Sequence, residues 1–304
     1  MTLGRTHLQQ FSLPAAGSGA GLHAAAEPEP TSADLHVHSQ WSWDALQGSM
    51  DRTCARAVEL GLRAVAFTEH ADFTPVAAGA QLDVAGYMEC LTRCRVRFPG
   101  LAIWSGVELG EPHRFAVEAT AVLRQGTFDL VLGSLHCVES EGQLVDCSEL
   151  GSDRGLDPGS VMRSYFQEVL GLLAAPVEFQ VLAHLEYPKR YWPAGYPNYR
   201  SEDYRAEIEA VLEAAARRGV ALELNTTRGM DEARGLCPAP EVVRWWRQAG
   251  GRAVAIGSDA HQPETLGAGL AVAQEVARAA GFGATSVLNV SGPSSALAEL
   301  LTPG

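Results

Sequence analysis

Six of the nine histidines in this sequence stand where short apolar runs end. The residues at the ends of these runs are His36 and His38, His70, Glu108, His136, His184, Asn225, Asp259 and His261. Imidazole nitrogen combined with carboxylate oxygen suits zinc, iron or manganese, whereas magnesium and calcium prefer oxygen ligands alone. The residue types therefore predict a transition-metal site.

The spacing within two of these groups supports that prediction. His36 and His38 are two residues apart, so on a strand both side chains project from the same side and can face one ion. Asp259 and His261 repeat this spacing near the end of the chain. A single histidine at a strand end is usually a hydrogen-bonded structural residue, but six such positions argue against coincidence.

The elements that must position these residues are alternating strands and helices. Seven short apolar runs alternate with longer amphipathic segments, which is typical of a parallel sheet covered by helices. The runs lie near 33–38, 62–70, 101–108, 128–136, 178–184, 219–225 and 251–261, and the amphipathic segments begin near 50, 84, 114, 161, 204, 240 and 267. No G-x-G-x-x-G follows the first strand and no G-x-x-x-x-G-K-[ST] occurs, which favours a closed barrel over an open nucleotide-binding sheet. In a barrel the carboxyl ends of all strands meet at one face.

These motifs carry a family resemblance. "DLHVHS", "AFTEHAD", "GVELG", "GSLH", "AHLEYPKR", "ELN" and "GSDAH" look like the successive motifs of the polymerase and histidinol phosphatase (PHP) superfamily, and most resemble the monofunctional histidinol-phosphatases. The resemblance covers roughly residues 33–265 and implies a distorted (β/α)7 TIM-like barrel. We expect residues 1–32 to be a loosely ordered segment and 33–304 to be a single PHP-type domain.

The resemblance also implies a centre of three divalent transition-metal ions (Zn, Fe or Mn). One ion is expected on His36, His38, Glu108 and Asp259, a second on Glu108, His136 and His184 with Glu108 bridging, and a third on Asp44, His70 and His261. Catalysis is expected to depend on His36, His38, Glu108, Asp259 and His261.

Two positions depart from the family pattern. Asp44 stands where a number of relatives have histidine, so the third ion is expected to bind more weakly or to be a harder metal. Glu69 occupies a place commonly filled by aspartate, and we interpret it as an acid that orients His70 or another neighbour. The long segment 138–160 lies outside the shared core and is expected to cover part of the binding face.

Clustered metal ions predict phosphate ester chemistry. We hypothesise that a metal-bound hydroxide attacks phosphorus while the metals hold the phosphate oxygens. A further cation should bind the phosphate, and the candidates are Arg190, Lys189 and Arg228. Arg190 is preferred because a guanidinium can bind phosphate through two parallel hydrogen bonds.

The leading hypothesis is a phosphomonoesterase of the histidinol-phosphatase type that converts L-histidinol phosphate to L-histidinol and phosphate. The alternatives are a PHP phosphoesterase acting on nucleotides or oligonucleotide ends, and a non-catalytic metal-binding module. Structural zinc sites are normally closed and rich in cysteine, which disfavours the module. The oligomeric state stays open.

Charge and composition limit the partners and the location. The formal net charge of -13 argues against general nucleic-acid binding, because polyphosphate partners favour positive surfaces. The six cysteines lack C-x-x-C spacing and are expected to be reduced core thiols. No signal peptide or membrane span is evident, so we expect a cytoplasmic protein with a small phosphorylated substrate and no membrane partner.

Overall fold

Seven strands form one parallel sheet in the computed structural model, which describes residues 33–77, 79–140, 142–152, 155–227, 235–284 and 286–288. These strands are β1 (Ala33–Val37), β2 (Ala64–Ala71), β3 (Ala102–Gly110), β4 (Leu130–Ser134), β7 (Val181–Leu182), β8 (Ala221–Asn225) and β9 (Val254–Gly257). The sheet order is β1-β2-β3-β4-β7-β8-β9. Residues 1–32, for which a loosely ordered segment was predicted, lie outside the described residues, and the domain boundaries stay a prediction.

The first and last strands of the sheet approach each other. The amide of His38 donates to Ala260 O at 2.9 Å, and the amide of Asp259 donates to His36 O at 2.7 Å. These bonds bring the carboxyl end of β1 against the residues that follow β9. The sheet is therefore a nearly closed barrel, and the predicted TIM-like fold is confirmed.

Helices occur close to all the predicted places. They are α1 (Met50–Glu59), α2 (Val84–Arg97), α3 (Ala116–Leu123), α4 (Pro158–Ala174), α5 (Arg205–Arg218), α6 (Pro240–Gln248) and α7 (Leu270–Ala279). Local sequence sets their ends: Asp157 accepts a hydrogen bond from Ser160 N and Pro158 opens α4, whereas α5 ends at Gly219 with a left-handed backbone.

The segment 138–160 contains a hairpin that was not predicted. The antiparallel strands β5 (Cys137–Ser140) and β6 (Gln143–Asp146) pair with each other, and a 3-10 helix follows at Cys147–Gly151. The four-residue strands and the Gly142 turn are too short to stand out as a periodic pattern. Asp146 and Ser148 line the cavity described below, so this segment does cover part of that face, as expected.

The barrel interior has an apolar lower layer and a polar upper layer. The lower layer contains Ala33, Leu35, Ala64, Ala66, Trp104, Leu130, Leu132, Val181, Ala183, Ala221, Ala253, Ala255 and Leu288. Side chains on a strand alternate between its two faces. His70 lies four residues after Ala66, and Glu108 lies four residues after Trp104, so both polar side chains point to the interior face. The apolar layer thus supports the polar residues at the carboxyl ends of the same strands.

Two further expectations concern the cysteines and the helices. All six cysteines are buried and free. Within the described residues, no helix is long and apolar enough to cross a membrane.

Candidate metal centre

Four side chains from β1, β3 and the residues after β9 converge at the first predicted ion site. His36 Nε2 and His38 Nε2 lie 3.0 Å apart, and they lie 3.1 and 3.3 Å from Glu108 Oε2. Asp259 Oδ1 is 3.6 Å from His36 Nε2 and 3.3 Å from His38 Nε2. Ligand atoms arranged tetrahedrally around zinc are about 3.3 Å apart. His36, His38 and Glu108 therefore form a group that could hold one divalent ion, and Asp259 adjoins both histidines.

The other oxygen of Glu108 faces the second predicted set. Glu108 Oε1 lies 3.2 Å from His136 Nε2 and 2.7 Å from His184 Nε2. The ligand atoms of these three residues lie within 4.8 Å of one another. Because Oε2 belongs to the first set and Oε1 to the second, one carboxylate can bridge two ions. Three protein ligands leave a coordination position for water or substrate.

The third predicted set lies closer to solvent. Asp44 Oδ2 is 3.1 Å from His261 Nε2 and 3.5 Å from His70 Nε2. The Asp44 and His261 side chains are 31% and 33% exposed, whereas His36, His38 and Glu108 are fully buried. The histidines of this set also lie within ligand distance of His38. An ion held here would exchange more readily with solvent than one held by the first set.

Irregular backbone positions two of the predicted ligands. His184 follows Ala183, which belongs to the interior layer, so strict alternation would turn His184 outward. Its φ of 21° turns the side chain into the barrel, and Asp259 has a φ of 55°. β1 contains a register shift between Asp34 and Val37, next to His36. Such conformations are energetically costly for residues other than glycine and occur mainly at functional sites.

Gly257 makes room for His36. A side-chain carbon added at Gly257 would overlap His36 Cβ and lie 2.8 Å from Glu223 Oε1. The glycine of the "GSDAH" motif is thus required by the close approach of β1 and β9, and a larger residue here would displace a ligand.

Three of the imidazoles are oriented by partners at Nδ1. His36 Nδ1 donates to Glu223 Oε1 at 2.6 Å. His38 Nδ1 donates at 2.9 Å to Ser42 Oγ, which in turn donates to Glu69 at 2.6 Å. His261 Nδ1 donates to Asp259 O at 2.9 Å. With the proton on Nδ1, the lone pair of each Nε2 is free for a metal ion.

Glu223 therefore orients His36 directly, and Glu69 orients His38 through Ser42. Glu69 also accepts hydrogen bonds from Ser39, and Ser42 Oγ accepts one from His70 N, which agrees with the interpretation of Glu69 as an orienting acid. Glu223 was not identified from the sequence, although it accepts from both His36 Nδ1 and His184 N. Its position two residues before Asn225 on β8 was the available signal.

Asp72 lies between two ligand histidines and was also missed. Its Oδ2 is 3.4 Å from His70 Nδ1, and its Oδ1 is 3.5 Å from His136 Nδ1. The two-residue spacing from His70 places both side chains at the barrel mouth.

The charges of the centre are strongly coupled. Burial alone lowers the pKa of His36, but the carboxylates of Glu223, Glu108 and Asp259 raise it well above its usual range. Burial opposes ionisation of Glu108, yet the imidazoles around it hold the pKa of its carboxyl well below its usual range. For His70, burial is again outweighed by nearby carboxylates, which raise its pKa to about 9. A group of partly protonated imidazoles around ionised carboxylates is what a cation site becomes without its cation.

Of the three predicted phosphate-binding residues, the structure brings Arg190 to the centre. Arg190 is 4% exposed, and its Nη1 donates to Asp259 Oδ2 at 3.1 Å. Its Nη2 donates to Asn225 Oδ1 at 2.5 Å, while its Nε has no hydrogen-bond partner among the described residues. The guanidinium also lies over the Tyr187 ring, 5.0 Å from its centroid. Among the described residues, Arg190 therefore retains an unpaired Nε–H close to the predicted ligand Asp259.

The structure places Lys189 elsewhere. Lys189 Nζ donates to Glu186 Oε2 at 3.1 Å and to Leu236 O at 2.6 Å, and the residue is not among those that line the cavity. Adjacent residues of the 3-10 helix Tyr187–Tyr191 point in different directions, which separates Lys189 from Arg190. Arg228 lies outside the described residues.

The ligands open into a cavity of about 250 Å³. Trp43, Asp72, Glu111, Asp146, Tyr187, Arg190, Tyr191 and Thr227 are among its lining residues, together with the predicted ligands Asp44, His70, Glu108, His136, His184, Asp259 and His261. Among the described lining residues, Arg190 is the only arginine or lysine. The cavity thus combines one buried guanidinium with several carboxylates and imidazoles.

Comparisons with known proteins agree with this geometry. The PHP domain model matches residues 34–227. The chain is 28% identical over 239 residues to a probable histidinol-phosphatase from Thermotoga maritima, covering 78% of this chain and 87% of that protein. It is 25% identical over 250 residues to a histidinol-phosphatase from Lactococcus lactis, covering 82% and 91% respectively.

Solved structures show the same fold. The crystal structure of histidinol phosphate phosphatase from Lactococcus lactis, complexed with zinc, L-histidinol and phosphate, has a TM-score of 0.74 and 23% identity, over 86% of this chain and 97% of that chain. The matched family model covers most of the barrel, from β1 to the end of β8. This chain belongs to the PHP domain family.

Proposed function

We propose that this chain is a metal-dependent phosphomonoesterase of the histidinol-phosphatase type, which converts L-histidinol phosphate and water to L-histidinol and phosphate. The main supporting observation is Glu108, whose two oxygens face separate imidazole sets beside the buried guanidinium of Arg190. The histidinol-phosphatases among its relatives support the same reaction.

The ligand sets support binding of three transition-metal ions (Zn, Fe or Mn). His36, His38, Glu108 and Asp259 would hold the first ion. The second would be held by Glu108, His136 and His184, and the third by Asp44, His70 and His261. Bound ions of this kind supply a nucleophile from water at neutral pH and neutralise charge on phosphoryl oxygens.

The residues of the chain supply the remaining functions. Arg190 binds the phosphate through the N–H groups that Asp259 and Asn225 leave free, because a guanidinium has five donors in a fixed plane. Glu223, Ser42 and Glu69 keep the ligand imidazoles in the correct tautomer. Asp44 and His261 lie at the solvent side of the cavity, where the departing alcohol oxygen obtains its proton from water.

The size and charge of the cavity favour a small substrate over an oligonucleotide end. A volume of about 250 Å³ lined by Asp44, Asp72, Glu111 and Asp146 suits a compact substrate rather than a polyanionic strand. A cytoplasmic location stays a prediction.

The test combines metal analysis with a substrate comparison. Phosphate release from histidinol phosphate, mononucleotides and a phosphodiester would be measured on one metal-loaded preparation, with and without a chelator. We expect preference for histidinol phosphate and loss of turnover on chelation. Preference for a nucleotide or the diester would contradict the proposed substrate, and turnover that survives complete metal removal would contradict the proposed chemistry.

Two neighbouring substitutions test the phosphate site. Arg190→Ala is expected to raise KM for histidinol phosphate about 10- to 100-fold, because a charge-assisted bidentate contact is lost. Lys189→Met is the matched variant, and it is expected to lower the stability of the fold while leaving KM unchanged. Equal effects of the two substitutions on KM would contradict the assignment of Arg190.

A further inference from the structure

Glu111 is a buried carboxylate at the cavity that no ligand set uses. It follows β3 directly, is 1% exposed and lines the cavity. Its Oε1 accepts hydrogen bonds from His136 N at 2.5 Å and from Cys137 N at 2.8 Å. Within the described parts of the chain, its Oε2 has no hydrogen-bond partner. One oxygen thus holds the side chain in place while the other is left unsatisfied.

The backbone of Glu111 supports a specific role for the side chain. Its φ of 46° lies in the left-handed region that favours glycine. Conformations of this kind cluster where a ligand must be positioned. Buried polar atoms are nearly always hydrogen-bonded, so an unsatisfied oxygen at a cavity wall indicates a donor supplied by a ligand.

The surrounding charge indicates a positively charged donor. Asp72 packs against Gly110, the residue before Glu111, since a side-chain carbon added at Gly110 would overlap Asp72 Oδ1, and its charge acts on Glu111. Asp72 also lines the cavity, whereas Arg190 is the only arginine or lysine among its described lining residues. A cation bound at this wall gains favourable interactions with two carboxylates, and an anion would be repelled.

The topology of the sheet separates Glu111 from Arg190, the proposed phosphate-binding residue. Arg190 contacts Asn225 of β8 and Asp259, which follows β9. In the sheet order, β3 lies three strands from β8 in one direction and three strands from β9 in the other. Glu111 therefore lies on the β3 side of the cavity, whereas the guanidinium of Arg190 lies toward β8 and the residues after β9.

We propose that Glu111 is a specificity-determining residue that accepts a hydrogen bond from the cationic nitrogen of the substrate alcohol. This inference rests on the proposed phosphatase function and adds the residue that recognises the alcohol, through an ammonium or imidazolium group remote from its phosphate. Asp72 adds negative charge to the same subsite. The Oε1 bonds to the start of β5 keep the carboxylate directed at the substrate.

The test is Glu111→Gln, in which the amide oxygen can keep the two backbone bonds while the NH2 group replaces Oε2. We expect KM for histidinol phosphate to rise about 10- to 100-fold, with no change in kcat or KM for 4-nitrophenyl phosphate, which lacks a cationic group. Inhibition by L-histidinol should weaken by a similar factor, whereas inhibition by inorganic phosphate should stay the same.

A matched control is Glu139→Gln, which removes the same charge from the neighbouring hairpin. Glu139 is 57% exposed and pairs with Arg114 outside the cavity, so neither substrate should be affected. Glu111→Asp retains the charge but retracts the carboxylate, and its KM should lie between wild type and Glu111→Gln. Should Glu111→Gln fail to fold, Glu111→Asp carries the same substrate comparison.

The outcomes separate this inference from the proposed function. A parallel loss for histidinol phosphate and 4-nitrophenyl phosphate would show a merely structural role and would overturn the inference. Unchanged inhibition by L-histidinol would overturn it as well. If the wild-type protein hydrolyses neither ester, the proposed function itself fails.

Discussion

The two sides of the barrel mouth place their ligands by different backbone devices. On the side of β2 and β3, His70 and Glu108 are paired residues in a continuous register and continue the alternation of the apolar layer below. On the other side, β1 has a register shift, and His184 and Asp259 have positive φ values. Regular strands position the residues on one side of the centre, and irregular backbone positions those on the other side.

Both devices bring ligand atoms to similar distances. On the regular side, His70 Nδ1 lies 3.2 Å from Glu108 Oε2 although the two residues are paired on neighbouring strands. On the irregular side, His36 Nε2 lies 3.1 Å from Glu108 Oε2 and 3.6 Å from Asp259 Oδ1. These separations are close to the distance of about 3.3 Å between ligand atoms around a tetrahedral zinc ion.

Removing the bridging ligand of the regular side should have the largest effect. Glu108→Gln is expected to lower kcat at least about 10³-fold and to reduce the bound metal, because both imidazole sets share this carboxylate. Elemental analysis and steady-state kinetics would be compared with those of Glu139→Gln. Full metal content with unimpaired turnover would show that Glu108 is not the bridge.

Adding a methyl group at Gly257, on the irregular side, should have the second-largest effect. Gly257→Ala would force β1 and β9 apart at His36, and we expect a loss of about 1–3 kcal/mol in the free energy of unfolding together with about 100-fold weaker metal binding. Gly100→Ala is the control, because no atom lies within 4 Å of the added carbon there. Urea denaturation of the metal-free proteins measures the first effect. Equal stability of Gly257→Ala and Gly100→Ala would show that the approach of β1 and β9 does not require glycine at position 257.

Removing the charge of Glu223 should weaken metal binding more than removing the charge of Asp72. Glu223→Gln is expected to weaken metal binding about 10- to 100-fold, because it disturbs the 2.6 Å bond that fixes His36. Asp72→Asn should cost less than about tenfold, since Asp72 lies 3.4 Å from His70 and makes no hydrogen bond to it. Chelator competition on both variants gives the affinities. A larger effect of Asp72→Asn would reverse the comparison.

The pH dependence of metal binding should be the mildest effect. In the metal-free protein the pKa of His70 is raised to about 9, so below that pH a proton must leave before a metal binds. Affinity should therefore rise with pH from 6 to 9, by about tenfold per unit for each proton displaced. Competition titrations across this range measure the slope. An affinity independent of pH would show that the imidazoles are already deprotonated.

Much of the fold and of the ligand sets could be predicted from the sequence. The seven strands and seven helices repeat a local period, and six histidines end strands whose carboxyl ends a barrel must bring together. The β5–β6 hairpin was missed because its strands are only four residues long and half exposed.

Residues that act through others were harder to find. Glu223 lies 187 positions from the histidine that it orients, and no local pattern reveals such a pair. The different directions of Lys189 and Arg190 depend on one turn of 3-10 helix whose start at Glu186 has a φ of 72°. Glu111 directly follows the "GVELG" motif that contains Glu108, but only the structure shows that its Oε2 has no hydrogen-bond partner among the described residues and that it lines the cavity.

The sequence by itself determined the chemical identity of the ligands and their place at strand ends, because strand periodicity and residue type are local properties. Only the tertiary structure decided which nitrogen meets which oxygen, which of two adjacent cations reaches the cavity, and where a carboxylate is left without a donor. These depend on close approaches between strands and on left-handed residues, whose cost is balanced by contacts far away in the chain.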